Sequence, residues 1–174
     1  MDSPFWDFSL AVYGANAVEG ECLDLQDRFG LDVNLILLCA FLGAVHGVTL
    51  AAGDIASIRR EAGKWHEQIV RPLRAARRNL KTIKLQDADA VNVAAKLRTQ
   101  VKAAEVESER IEQILLEQWA NAGLAAWARG KSREAVVANL QALLAAYGVG
   151  PERLIAAQAM KHLIAAVLDR VVDK

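Results

Sequence analysis

Apolar residues recur every three or four positions along most of the chain, which is the period of an amphipathic α-helix. Capping residues and glycines separate the periodic segments, and no segment alternates between apolar and polar positions as a β-strand does. The pattern predicts an all-α protein. Its N-terminal helices are expected at Pro4–Tyr13 (capped by Ser3, ended by Gly14), from the cap Asn16 to Gly30, and from the cap Asp32 to about Gly47.

A longer pair of apolar stripes predicts an antiparallel helical hairpin from about Asp54 to Asn121. The first stripe runs from Ile58 to Ile83 and skips one position beside Pro72, where we expect a kink. The second stripe keeps spacings of 4 and 3 from Ala90 to Leu115 without a break. At a rise of 1.5 Å per residue each arm would be ~45 Å long, so the tip should project or lie along a partner.

Two further helices, Ser132–Tyr147 and Pro151–Val172, complete the predicted helical bundle. A chain of 174 residues is the size of one domain, and we expect residues 1–174 to form a single all-helical domain. Its parts would be acidic N-terminal helices in residues 1–53, a long hairpin with a basic tip in 54–121, and a C-terminal helix pair in 130–174.

The start of the chain and its longest uncharged stretch indicate where in the cell the protein is expected and whether it would enter a membrane. The first ten residues carry Asp2 and Asp7 and no basic residue, which fits neither a secretory signal nor a mitochondrial presequence, so we expect a cytoplasmic protein. The stretch from Val33 to Ala52 has no charge, but Asn34 and Gly47 interrupt it, which favours a helix buried among other helices over a membrane span.

The distribution of charge along the chain is more informative than the net charge, which is zero. Residues 1–54 contain eight acidic residues and one basic residue, a balance of −7, whereas residues 71–102 contain nine basic and two acidic residues, a balance of +7. In a hairpin that turns near Gln86, Arg74 would lie opposite Arg98, so the arms could not neutralise each other there. Nearer the base, Arg59, Arg60 and Lys64 would face Glu107, Glu109 and Glu112.

These charges predict a positively charged distal half of the hairpin, which we call the basic finger. The first functional hypothesis is a non-enzymatic interaction or adaptor protein that binds an acidic protein or a phosphate backbone through this finger. A solvated surface with no partner remains open, as do a second copy of the chain and, as a weaker alternative, an acidic membrane surface. Nucleic acid would be contacted through its backbone only, since no aromatic residue lies between Trp65 and Trp119. The finger comprises Arg71, Arg74, Arg77, Arg78, Lys81, Lys84, Lys96 and Arg98.

An alternative hypothesis is a small-molecule- or metal-binding protein or enzyme with a pocket at the N-terminal helices, because carboxylates there could hold a metal or act as acid and base. The two cysteines, Cys22 and Cys39, fall on apolar faces and are interpreted as core residues. The sequence contains no catalytic motif, so no catalytic residue, metal ligand or cofactor is assigned, and a non-enzyme is favoured. The pocket would be formed by Trp6, Tyr13, Asp24, Asp27, Asp32, Asn34 and His46.

Two N-terminal motifs resemble an uncharacterised bacterial family of small helical proteins, a domain of unknown function. The first is F-W-x-F-S-L-x-x-Y from Phe5 to Tyr13, and the second is C-L-x-L-Q-D-x-x-G-x-D-V-N from Cys22 to Asn34. A helical R-P-L-R-x-x-R-R-x-L-K stretch from Arg71 and the segment Ala104–Arg110 are also similar. The resemblance covers residues 4–118 and implies a helical fold in a cytoplasmic bacterial protein, with no established activity.

Overall fold

A computed structural model of the chain describes residues 3–150 and 160–171. The described residues form an all-α bundle with a long helical hairpin, as the apolar pattern predicts. One isolated antiparallel bridge, between Val48 and Arg129, is the sole β-type pairing within these two ranges. Among the helices described there, none is both long enough and apolar enough to cross a bilayer.

The N-terminal helices begin and end close to the predicted positions. Ser3 caps α1 by accepting a hydrogen bond from the Trp6 amide, and Asp32 caps α3 by accepting one from the Asn34 amide. The prediction for the second helix is wrong at its start, because Ala17 rather than Asn16 is the capping residue and it adopts a left-handed φ of 65°. The three helices are α1 (Pro4–Tyr13), α2 (Val18–Phe29) and α3 (Val33–His46).

The hairpin is built from two arms joined by residues 83–87. The first arm contains α4 (Ala52–Trp65), a π-helical turn (His66–Val70) and α5 (Arg71–Thr82), and the second arm is α6 (Ala88–Gly123). The π-helical turn accommodates one extra residue, which explains the skipped position in the first apolar stripe. The expected irregularity beside Pro72 is therefore a π-bulge on its N-terminal side.

The core lies around α3, which is buried along nearly its whole length and packs closely on α7 (Ser132–Ala146). Phe5 and Phe8 of α1 close one side of this core against Phe41. The fully buried Asn139 of α7 holds the 48–50 segment, since its side chain accepts from the Leu50 amide and donates to the carbonyls of Cys39 and Val48.

The last described helix is α8 (Lys161–Leu168), which packs on α1, α2 and α3. The Glu21 carboxylate accepts hydrogen bonds from the backbone amides of His162 and Leu163 and lies 2.8 Å from His162 Nδ1. Glu21 thereby ties the start of α8 to α2. The predicted helix Pro151–Val172 agrees with α8 over the part that is described, and residues 151–159 and 172 lie outside the described residues.

Candidate functional site

Three titratable side chains from three different elements meet where the hairpin joins the bundle. Asp32 is the capping residue of α3, His66 begins the π-helical turn, and Glu112 lies in α6. The Nδ1 atom of His66 lies 3.2 Å from Asp32 Oδ2 and 3.1 Å from Glu112 Oε1. One potential ligand atom of each residue lies within 4.8 Å of the other two, and we call this group the Asp–His–Glu cluster.

Two buried amides orient the carboxylates of the cluster. The Asn34 backbone amide donates to Asp32 Oδ1 at 2.9 Å, and the Asn34 side chain donates from Nδ2 to Glu112 Oε2 at 2.7 Å. Gln113 in turn donates from Nε2 to Asn34 Oδ1 at 2.8 Å. Each carboxylate therefore has one oxygen held by a neutral donor, and its other oxygen is directed at His66.

Burial makes the ionised form of the cluster costly. Asp32 is 4% exposed and Glu112 is fully buried. Burial and the neighbouring charge of Glu112 raise the pKa of Asp32 well above its usual range. Burial lowers the pKa of His66, but the hydrogen bond to Glu112 and the charges of both carboxylates outweigh it, so the pKa lies above its usual value. Two carboxylates and a neutral imidazole would carry a charge of about −2 away from water, which protons or a cation must offset.

An open groove of about 390 Å³ runs past the cluster, and His66 forms part of its wall. The groove lies between the end of α2 and the first arm of the hairpin. Its charged lining residues are Asp27, Glu67, Arg71, Arg74 and Arg78. Because the groove reaches His66, it gives the otherwise buried cluster a path to solvent.

The structure places four arginines of the basic finger in ion pairs within the chain. Glu105 accepts hydrogen bonds from both Arg74 and Arg77, and Arg74 also donates to Glu109 at 2.6 Å. The expected register, with Arg74 opposite Arg98, is thus wrong: the arms are shifted so that Arg74 meets carboxylates of α6. The other two pairs are Arg71 with Glu67 at 2.7 Å and Arg78 with Asp27 at 2.8 Å.

The other four members of the finger lie nearer its tip. Lys81, Lys84 and Lys96 are exposed and form no ion pair with a described residue. Arg98 is half-buried, and its Nε has no hydrogen-bond partner within the described part of the chain. Among the eight residues of the basic finger, those without an ion pair in the described structure therefore all lie beyond Arg78.

The expected pairing at the base of the hairpin is also wrong. Glu109 binds Arg74, and Glu112 faces His66 instead of a basic residue of α4. Arg59 lies over the ring of Tyr147, at 4.0 Å from its centroid, and Arg60 donates to the Ser57 hydroxyl. The expected pairs are absent because of the register in which α4 and α6 pack, which turns Glu112 inward towards His66.

The seven residues of the predicted pocket do not surround one cavity. Asp32 and Asn34 belong to the Asp–His–Glu cluster and its supporting amides, and Asp27 lies on the adjoining groove. Asp24 pairs with Arg28 on the surface of α2, and the His46 ring packs edge-on against Phe41. Trp6 lines a second cavity of about 120 Å³ with Arg110, while burial raises the pKa of Tyr13 to about 12.

Sequence reasoning missed His66 and Glu112, because these residues lie 46 positions apart on separate helices. A partial signal was available. The position skipped in the first apolar stripe, between Ile69 and Leu73, comes at the end of the turn that begins at His66, and π-bulges occur frequently at functional sites. The cysteines are core residues, as expected: Cys22 and Cys39 are fully buried, and burial raises the pKa of each thiol to about 12.

The cluster, the groove and the proximal hairpin all fall within a segment that matches a protein family. Residues 4–116 match a family described as a protein of unknown function (DUF2390), and the chain belongs to this family. Comparison with curated proteins gives no match, and comparison with solved structures gives none either.

Proposed function

We propose that this protein binds a divalent metal ion at the Asp–His–Glu cluster. The observation that supports this function is the convergence of Asp32 Oδ2, Glu112 Oε1 and His66 Nδ1, three ligand-type atoms within 4.8 Å of one another. A divalent cation would offset the charge of two buried carboxylates, and the neutral imidazole would complete a protein-derived set of three ligands.

The donor set favours particular ions. Two carboxylate oxygens and one imidazole nitrogen suit Zn²⁺, Mn²⁺ or Fe²⁺, whereas the all-oxygen environment that Ca²⁺ prefers is not provided. Asn34 would act as an outer partner of both carboxylates, and such partners typically contribute 10–100-fold to metal affinity. Three protein ligands leave coordination positions for water or a small molecule.

The test is calorimetric titration of chelator-treated, tag-free protein with Zn²⁺ and, separately, Mn²⁺. We expect one saturable site in the folded protein. Glu112→Gln and Asp32→Asn should each weaken binding by tenfold or more, because each removes one anionic ligand while keeping the shape of the side chain. Asparagine can also keep the cap of α3.

Asp27→Asn is the matched control, since it removes a carboxylate that lines the same groove but lies outside the cluster. This variant should bind metal as the wild type does. Circular dichroism and thermal unfolding confirm that each variant is folded. Absence of saturable binding with both ions, or unchanged affinity in Glu112→Gln and Asp32→Asn, would contradict the proposed function.

A second candidate function uses the outer part of the hairpin. Three exposed lysines, Lys81, Lys84 and Lys96, lie in the outer part of the hairpin, where Ile83 and Leu85 are also exposed. We propose that this surface binds an acidic protein segment or a phosphate backbone, as the charge distribution of the sequence suggests. This interaction does not depend on the metal site.

Its test replaces the three lysines by glutamate and measures the anisotropy of a labelled polyglutamate peptide and of a labelled single-stranded RNA at two salt concentrations. Arg74 and Arg77 are left intact, because their replacement would disrupt the internal pairs with Glu105. The control variant carries Arg60→Glu, Lys64→Glu and Lys131→Glu, which changes the net charge equally at other exposed positions. Equal binding by both variants would show that the tip is not a binding surface.

A further inference from the structure

The groove beside the cluster carries three arginines, two of which leave much of their hydrogen-bonding capacity unused. Arg71, Arg74 and Arg78 are spaced 3 and 4 residues apart on α5, so they project from one face of the helix into the groove. A guanidinium has five N–H donors. Within the described structure Arg71 donates to Glu67 from Nη1 alone, and Arg78 donates to Asp27 from Nη2 alone.

The pairs that hold Arg71 and Arg78 are weak enough to yield to a ligand. The Arg71 and Glu67 side chains are 61% and 58% exposed, and those of Arg78 and Asp27 are 50% and 53% exposed. Exposed pairs of this kind contribute only about 0–1 kcal/mol to stability. Arg74 differs, because Glu105, Glu109 and Gln26 occupy its Nε and both terminal nitrogens. The Arg74 side chain is therefore held in place at the wall of the groove, while the side chains of Arg71 and Arg78 can reorient towards a ligand.

His66 adds a further donor to the same groove. Its Nδ1 is engaged by the two carboxylates, and no hydrogen bond joins its Nε2 to a described residue. His66 forms part of the groove wall, so Nε2 is the ring nitrogen that remains available to a ligand there. When Nδ1 binds a metal ion, Nε2 carries the hydrogen and donates it.

We infer that the groove binds a small phosphate monoester, whose phosphoryl oxygens accept hydrogen bonds from Arg71, Arg78 and His66 Nε2. Tetrahedral phosphate oxygens suit several convergent donors, and guanidinium groups bind them in a bidentate manner. The groove volume of about 390 Å³ is within the range of small-molecule sites. The contribution of His66 rests on the proposed metal function, whereas the contributions of the two arginines do not.

The inference also predicts coupling between the two sites. A metal ion held by the cluster fixes the His66 tautomer that donates into the groove, and it adds positive charge close by. The metal should therefore raise the affinity for the phosphate monoester by about fivefold or more, and by linkage the phosphate monoester should raise the metal affinity by the same factor.

The experiment titrates phenyl phosphate, as the probe, into metal-free and Mn²⁺-loaded protein and follows binding by saturation-transfer NMR and calorimetry. We expect saturable binding that is tighter in the loaded protein. Arg71→Gln combined with Arg78→Gln should weaken it tenfold or more. The control Arg60→Gln, which removes an exposed arginine outside the groove, should leave it unchanged. Acetate, tested in parallel, should bind at least tenfold more weakly than phenyl phosphate.

The outcomes separate this inference from the metal proposal. If Mn²⁺ binds but phenyl phosphate does not, or if the double arginine variant binds phenyl phosphate normally, the groove inference is wrong and the metal proposal stands. If phenyl phosphate binds and the arginine variant loses it while no metal binds, the metal proposal fails and the groove inference is supported.

Discussion

At the scale of single residues, Gly43 sets how closely α3 and α7 approach each other. A methyl group at this position would lie 2.5 Å from the backbone nitrogen of Val136 and 2.7 Å from its Cα. Both contacts are with backbone, so α7 itself would have to move. The uncharged stretch around Gly43 is thus better explained by close packing of two helices than by a lipid environment.

We predict that Gly43→Ala lowers the free energy of unfolding by about 1–3 kcal/mol, the usual cost of overpacking a dense core. The control is Gly63→Ala, at a position where an added Cβ meets no atom within 4 Å. That change should stabilise the protein by about 0.5–1 kcal/mol, because alanine has the higher helix propensity. Urea unfolding followed by circular dichroism measures both, and equal effects of the two changes would refute the close-packing argument.

Among the secondary-structure elements, most of the helices could be predicted from the apolar pattern of the sequence. It located α1, α3, α6 and α7 because their caps and stripes are local features. It could not determine which face of α6 is buried. The stripe from Ala90 to Leu115 predicts Ile111 and Leu115 at the contact, yet both are exposed, and the buried face instead carries polar residues such as Glu105 and Glu112.

The physical reason is that long-range partners offset the burial of these polar groups. Glu105 is satisfied by Arg74 and Arg77 from the other arm, and Glu112 by His66 and Asn34. No local feature of the chain reveals such pairs. The candidate site could therefore be predicted only in part: Asp32 and Asn34 follow from the start of a helix, whereas His66 and Glu112 depend on the register of the arms.

The π-helical turn sets that register, and removing its extra residue should disrupt it. We predict that deletion of Gln68, an exposed residue of the turn, lowers the free energy of unfolding by roughly 3 kcal/mol. The deletion rotates α5 by about 100° relative to α4, so either the pairs with Glu105 or the packing of α4 must be lost. The substitution Gln68→Ala keeps the length of the turn and should be nearly neutral in the same urea titration. A deletion variant as stable as the wild type would mean that the turn does not determine the register.

At the scale of the whole molecule, the opposite charges of the sequence are partly neutralised where the hairpin packs on the bundle and on itself. Asp27 of α2 meets Arg78 of α5, and Glu21 of α2 holds the start of α8. The acidic N-terminal helices therefore serve partly as internal partners of basic segments. Stability should depend on the pH at which the internal carboxylates lose their charge.

Glu105 is the residue expected to contribute to the dependence of stability on pH. Burial raises the pKa of its carboxyl, but hydrogen bonds from Arg77 and Arg74 outweigh burial, so the pKa in the folded protein lies below its usual value of 4.5. A carboxyl with a depressed folded pKa contributes its full stabilisation above the unfolded pKa and loses it as the pH falls through the folded pKa. The contribution should thus be complete at pH 7 and decline below about pH 4.5.

We predict that Glu105→Gln lowers the free energy of unfolding at pH 7 by about 1.5–3 kcal/mol, the value of hydrogen bonds to a charged group. The difference between variant and wild type should shrink as the pH is lowered from 5 towards 3, because the wild-type carboxyl then becomes neutral as well. Urea unfolding at a series of pH values measures this difference, with Glu107→Gln as the control at an exposed position of the same helix. A difference that stays constant across this range would show that the stabilisation by Glu105 does not come from its charge, and the ion pairs with Arg74 and Arg77 would then not be what holds the two arms in register.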